Sequence, residues 1–154
     1  MASGSNPVDP ARRHATAWAA LVATLAVHVV DEAATGFLDF YNPLVEQLRE
    51  TLGWLLMPAF TFPVWLTGLV MLVLALAVLT PAVRRGAPGT RTLSWAFAAI
   101  MLGNGVAHLA GSVYFSRWLP GATSAPLLLV ASLRLVAALT ARRRAGLHRP
   151  TPSA

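Results

Sequence analysis

Four apolar runs, each about twenty residues or longer, set the fold class of this chain. They extend from about Ala15 to Leu38, from Trp54 to Leu79, from Thr92 to about Phe115, and from Ala122 to Ala141. At 1.5 Å per residue, each run crosses a hydrocarbon core of roughly 30 Å when helical. Backbone N–H and C=O groups meet no water there, so a run of this kind folds as a helix. The expected fold is all-α: a polytopic membrane protein with about four transmembrane helices and a short interfacial helix between the first two. Composition agrees, because charged residues make up 12% of the chain and a soluble domain carries about 25%. A secretory signal peptide is the competing reading of the first run, with Arg12-Arg13 as its basic region. A signal's apolar core is short and uncharged, whereas this run carries His28, Asp31 and Glu32 and continues past them.

The connections divide the chain into a polar, disordered leader (1–14), a transmembrane domain (15–141) and a basic tail (142–154). In residues 39–53, Leu44, Val45, Leu48 and Leu52 recur at helical spacing among Glu46, Gln47, Arg49 and Glu50. That pattern predicts an amphipathic helix lying at the interface, with Pro43 in its first turn. Pro58 and Pro63 predict a kink in the second run or a later helix start. Thr80-Pro81 is expected to end that helix. Arg84, Arg85, Gly86, Pro88 and Gly89 form the following loop. A tight connection is expected over Ser116–Gly121. Pro126 suits the first turns of the last helix, and Arg142-Arg143-Arg144 are expected to stop it.

The formal charge is +6 and every basic residue is arginine. The arginines lie in short clusters between apolar runs, which reads as membrane topology rather than a nucleic-acid surface. An even number of spans places Arg12 and Arg13, Arg84, Arg85 and Arg91, and Arg142 to Arg144 with Arg149, on one side. By the positive-inside rule that side is the cytoplasm, with both termini there and the plasma membrane of a bacterium as the expected location. Trp18 and Trp95 then enter from the inner interface, and Trp54 and Trp118 lie at the outer one. Cysteine is absent, so a metal site would draw on His, Asp, Glu or Asn.

The polar residues inside the spans are the informative ones. His28, Asp31 and Glu32 share one face of the first helix through offsets of three and four. Asn104 and His108 share one face of the third. Counted from the same membrane side, His28 and Asn104 each lie about 12 residues into their spans, and Glu32 and His108 about four further. The two faces therefore match in depth. Each charge near a helix centre disfavours insertion by about 2.5–3.5 kcal/mol, so Asp31, Glu32 and Arg134 together cost roughly 10 kcal/mol if unpaired. Arg134 has two open placements: snorkelling to the cytoplasmic interface, or pairing with Asp31 or Glu32. His14 and His148 are expected to be solvated. Gly103, Ala107 and Gly111 form a small-residue stripe expected to support close helix packing. Asp39, Tyr41 and Asn42 are assigned to the start of the interfacial helix.

His28-Val29-Val30-Asp31-Glu32 resembles the motif that names the HXXEE family of small bacterial membrane proteins. Asn104-Gly105-Val106-Ala107-His108 is similar to that family's Asn-x-x-x-His element, and Tyr114 through Pro120-Gly121-Ala122-Thr123 to its following segment. The resemblance runs from about Ala15 to about Ala138. One departure is Asp31, which stands where the family name has Glu; the carboxylate is kept, one methylene shorter. The resemblance implies a polytopic membrane protein and supplies no reaction.

Three functions fit these residues. The first is an intramembrane metal-dependent, hydrolase-like enzyme acting on a lipid-like substrate. His28, His108 and Glu32 are its candidate ligands, and Zn²⁺ or Fe²⁺ the candidate cofactor. Asp31 or Glu32 would serve as general base, and Asn104 would polarise a carbonyl. The second is a proton-coupled small-solute transporter, for which four helices are few unless a homo-oligomer supplies more. The third is an interaction subunit whose polar cluster holds helices together.

Overall fold

The computed structural model describes residues 9–54 and 57–147, with side chains to residue 141. Among these residues it contains helices only: α1 (Pro10–Thr35), α2 (Phe37–Leu52), α3 (Phe62–Val78), α4 (Thr80–Arg85), α5 (Thr90–Tyr114) and α6 (Ala125–Leu147). Residues 1–8 of the expected leader and the tail from His148, including Arg149, lie outside the described residues.

α1 begins at Pro10, with the Asp9 carboxylate accepting from the Ala11 N–H, so the last residues of the expected leader are helical. It ends at Gly36, whose left-handed conformation (φ +75°) lets its N–H donate to the Glu32 carbonyl. The same glycine starts α2, which therefore begins earlier than expected. Pro43 falls inside α2 rather than in its first turn. Asn42 and Tyr41 tie this helix to the segment before α3: the Asn42 amide bonds both N–H and C=O of Phe60, and the Tyr41 hydroxyl donates to the Pro58 carbonyl.

The second span starts late, as one of the two proline readings expected, with Pro63 in the first turn of α3. Thr80-Pro81 ends α3 as expected, although the span runs on past it. Pro81 lacks the N–H that would bond Ala77, so the helix breaks at Leu79 and resumes as α4. Residues Phe62–Arg85 together are long and apolar enough to cross a membrane. Only Trp65 and Leu76 of α3 are buried, and its exposed valines, leucines and methionine suit a lipid environment.

Three helices are long and apolar enough to span: Pro10–Thr35, Phe62–Arg85 and Thr90–Tyr114. The fourth apolar helix, Ala125–Ala141, is shorter, which refines the expected count of about four full spans. The cause lies in residues 115–124, which run back alongside α5. Gly111 faces Leu119, the Ser112 hydroxyl accepts from the Leu119 N–H, Gly121 faces His108, and Gly105 faces Ala125. α6 thus starts level with Gly105, nine residues below the end of α5, or about 14 Å. Non-helical backbone at this depth is tolerated where protein covers it; Leu119, Ala122 and Ser124 are buried. Arg142 to Arg144 do not stop α6, which continues to Leu147.

α1 is central, packing on α6, α3 and α4, while α5 packs chiefly on α6. Trp18, Leu21, Leu25, Phe97, Leu128 and Leu135 form the core. Trp18 is fully buried rather than interfacial; its indole N–H donates to the Leu76 carbonyl (3.1 Å) and its ring meets Phe97 edge-on. His14 is likewise buried, against expectation, with Nε2 2.8 Å from the Ser94 hydroxyl. Its position in the first turns of α1 faces the start of α5, where protein rather than solvent is adjacent.

The small-residue stripe also sits differently. A side chain at Gly103 would meet nothing within 4 Å. Gly111 of the stripe does make a close contact, 2.8 Å from a Cβ to the Leu119 side chain, while the close contact with α6 is at Gly105, where a Cβ would lie 2.8 Å from the Leu129 side chain and 3.2 Å from the Ala125 carbonyl. Gly105→Ala is therefore expected to lower stability by about 1–3 kcal/mol, the range for overpacking, whereas Gly103→Ala leaves it unchanged. Thermal unfolding of the two variants in detergent checks this.

A candidate metal centre between α1 and α5

The spacing that puts His28, Asp31 and Glu32 on one face of α1 turns that face toward α5 and the descending segment. His28 is fully buried, Glu32 and His108 nearly so. Glu32 Oε1 lies 3.1 Å from His108 Nε2 and 3.6 Å from His28 Nε2. One ligand atom from each of the three lies within 4.8 Å of the others. The matched depths of the two helices thus bring together the three residues named as ligands. The imidazoles meet edge to face, with centroids 4.8 Å apart.

The proton on His28 can be placed. Its Nδ1 is 2.7 Å from the Ser124 hydroxyl, and that hydroxyl is 2.7 Å from Asp31 Oδ2 and 3.3 Å from the Gly121 carbonyl. A hydroxyl has one hydrogen, and the short contact to a carboxylate takes it. His28 Nδ1–H therefore donates to Ser124, and a neutral ring has its lone pair on Nε2. Asn104 agrees, with Nδ2 3.4 Å from His28 Nε2 as a donor to that lone pair. His28 Nε2, with its lone pair, thus lies 3.6 Å from the Glu32 carboxylate, an arrangement that a cation between them would stabilise.

Asp31 stands apart from the three. Its Oδ2 also accepts from the Ser124 N–H (2.9 Å) at the start of α6. A carboxylate at a helix N-terminus is favoured by the unpaired N–H groups and the helix dipole, which gives this charge a partner inside the bundle. Among the described residues no arginine pairs with Asp31 or Glu32. Arg134 takes neither carboxylate; it is exposed and lines a cavity with Arg12 and Arg13. Those residues lie in the first turn of α1, sixteen positions before His28, about 24 Å away.

Two contributors escaped the sequence reading as site residues. Ser124 precedes Ala125-Pro126, the pattern of a serine cap before a first-turn proline, and that pattern was the available signal. Gly121 has φ +82°, and a Cβ there would come within 2.7 Å of His108 Cε1, 2.9 Å of its Nδ1 and 3.0 Å of Glu32 Cγ. Only glycine allows the descending segment to close over the cluster. On the far side Phe37 covers His108, with ring centroids 5.8 Å apart.

Residues 18–135 match the family described as "Protein of unknown function with HXXEE motif". The chain belongs to the HXXEE family. No curated protein and no solved structure matches it. In this HXXEE protein the His and the final Glu of the motif face the cluster, while Asp31, the position that departs from the family name, turns to Ser124. A carboxylate there reaches both the hydroxyl and the backbone N–H of one residue.

Gly121→Ala is expected to displace His108 and strain the backbone. Its cost is about 1–3 kcal/mol, and the His108 imidazole resonances should shift in NMR spectra of labelled protein. Ser124→Ala leaves His28 Nδ1–H without its acceptor and removes a donor from Asp31, with a similar loss of about 1–3 kcal/mol.

Proposed function

We propose that this protein holds a divalent transition-metal ion, Zn²⁺ or Fe²⁺, at His28, Glu32 and His108 and acts as a hydrolase on a lipid-like substrate within the membrane. The observation that carries the reading is the convergence of two imidazole nitrogens and one carboxylate oxygen in a buried, arginine-free site. Two His and one carboxylate leave coordination positions open on zinc or iron. The contacts to Glu32, 3.1 and 3.6 Å, bracket the roughly 3.3 Å between neighbouring ligands of a tetrahedral ion with bonds near 2.0–2.1 Å. Charge agrees too: a divalent cation balances the Asp31 and Glu32 carboxylates, which otherwise sit in low dielectric.

The ion would supply Lewis acidity for activating water and polarising a carbonyl. The chain's own residues do the rest. Ser124 fixes the His28 tautomer so that Nε2 faces the ion, and Asp31 holds Ser124, which makes both positioning residues. Glu32 is a ligand whose second oxygen is available as a proton acceptor. Asn104 offers an N–H donor beside His28 to a developing oxyanion. The lipid-like substrate is supported by a neighbouring crevice of about 350 Å³ between α2 and α3. Phe37, Tyr41, Phe60 and Trp65 line it, Phe37 is shared with the cluster, and Val64, also in its lining, is exposed.

A second reading has its own support. The 3.1 Å contact of His108 with Glu32 is a hydrogen bond without any ion, so the cluster also works as a clamp between α1 and α5. Elemental analysis of detergent-purified protein separates the two. Near-stoichiometric zinc or iron, absent from His28→Ala and His108→Ala and bound 10–100-fold more weakly by Ser124→Ala, is the expected result. A well-folded wild type that takes up neither metal, even when it is added, would leave the clamp.

A further inference from the structure

A cavity lies at the opposite end from the metal cluster. It has a volume of about 570 Å³ and sits between the first turns of α1 and the last turns of α6. Arg12, Arg13, Thr16 and Arg134 stand around it, and the remaining lining is alanine from both helices. All three arginines are exposed. Among the described residues none makes an ion pair, and no carboxylate lines the cavity.

Three arginines that line one cavity, with no carboxylate among its described lining residues, make it favourable to an anion. Each offers planar, forked donors that match two phosphate oxygens at once. Arg134 is seven residues inside the apolar part of α6, about 10 Å along its axis, so its head reaches the end of the span by snorkelling. The alanine wall presents methyl groups and no polar partner, which suits a hydrocarbon chain and not a hydrated free ion. Charge and shape together thus require an occupant that is anionic at the membrane surface and apolar below it.

We propose that this cavity binds an anionic glycerophospholipid, with its phosphodiester on Arg12, Arg13 and Arg134 and one acyl chain along the alanine wall. Arg84 and Arg85 lie on α4 outside the cavity and contribute only general positive charge. The site is independent of the metal cluster, about 24 Å away along α1.

The test uses the full chain purified in detergent. Native mass spectrometry and thermal unfolding are recorded with phosphatidylglycerol, with phosphatidylcholine and with inorganic phosphate. Phosphatidylglycerol is expected to be retained and to raise the unfolding temperature, while phosphatidylcholine and phosphate do neither. An arginine near an anionic membrane surface contributes about 1 kcal/mol. Arg134→Gln should therefore weaken phosphatidylglycerol binding about fivefold, and the Arg12→Gln/Arg13→Gln pair about 25-fold. Arg84→Gln/Arg85→Gln should retain wild-type affinity. Equal retention of phosphatidylcholine, unchanged affinity in the cavity variants, or an equal loss in the α4 variant would overturn the proposal. Saturable binding of phosphate that the cavity variants abolish would overturn the lipid in favour of a soluble anion.

Discussion

The Ser124 hydroxyl is the contact on which the polar interior depends. It accepts from His28 and donates to Asp31, and its own N–H also goes to Asp31. In hydrocarbon an unpaired polar group has no water to turn to, so such a network must close within the protein. One residue satisfies the motif's first and fourth positions and fixes which nitrogen of His28 carries the hydrogen. The descending segment before α6, and not a neighbouring side chain on α1, thereby sets the hydrogen-bonding state of the motif's histidine.

That contact exists because α6 begins low. Had α5 and α6 been joined at the membrane surface, residue 124 would lie about 14 Å above the level of Gly105. The descending segment instead carries Gly121 and Ser124 to the depth of His28 and His108. The consequences are linked: a fourth helix whose apolar part is short, a helix N-terminus aimed at Asp31, and glycine at three of the closest approaches, Gly105, Gly111 and Gly121. Gly105 and Gly121 serve the same need at two levels, which is close approach of backbone to a neighbour.

Much of this was legible in the sequence. The helical offsets of His28 and Glu32, the equal depths of His28 and Asn104, and the arginine clusters between apolar runs locate the helices and gather His28, Glu32, Asn104 and His108. What periodicity cannot show is how a non-helical segment folds. Ser124 and Gly121 lie in a turn, where no spacing rule states their depth. The stripe Gly103–Ala107–Gly111 illustrates a second limit. Small residues at intervals of four mark a face on which helices can approach, but the approach occurs at Gly105, two residues round the helix. His14 and Trp18 show a third: both were placed by distance from the helix start, yet α1 is the central helix and its early turns are covered by α3 and α5. Pro43 was misplaced because Gly36 serves as both end and start, which moves α2 forward by a few residues.

The two ends of α1 hold opposite charge, and this separation constrains how the protein sits and works. Arg12 and Arg13 stand at one end, Asp31 and Glu32 toward the other. Arg91 reinforces the first end by donating to the Leu139 carbonyl of α6 (2.9 Å). With Arg134 also there, Arg117 over the Phe40 ring and Arg49 on the Met57 carbonyl, no arginine among the described residues pairs with either carboxylate. Had Arg134 reached Glu32, the cluster would have been a salt bridge with its charge satisfied, and a cation would have gained little by binding. Its absence leaves two carboxylates with only hydrogen-bond donors and imidazoles around them. Gly121 and Ser124 pack against the cluster from the segment before α6, and Phe37, which also lines the aromatic crevice between α2 and α3, packs on His108.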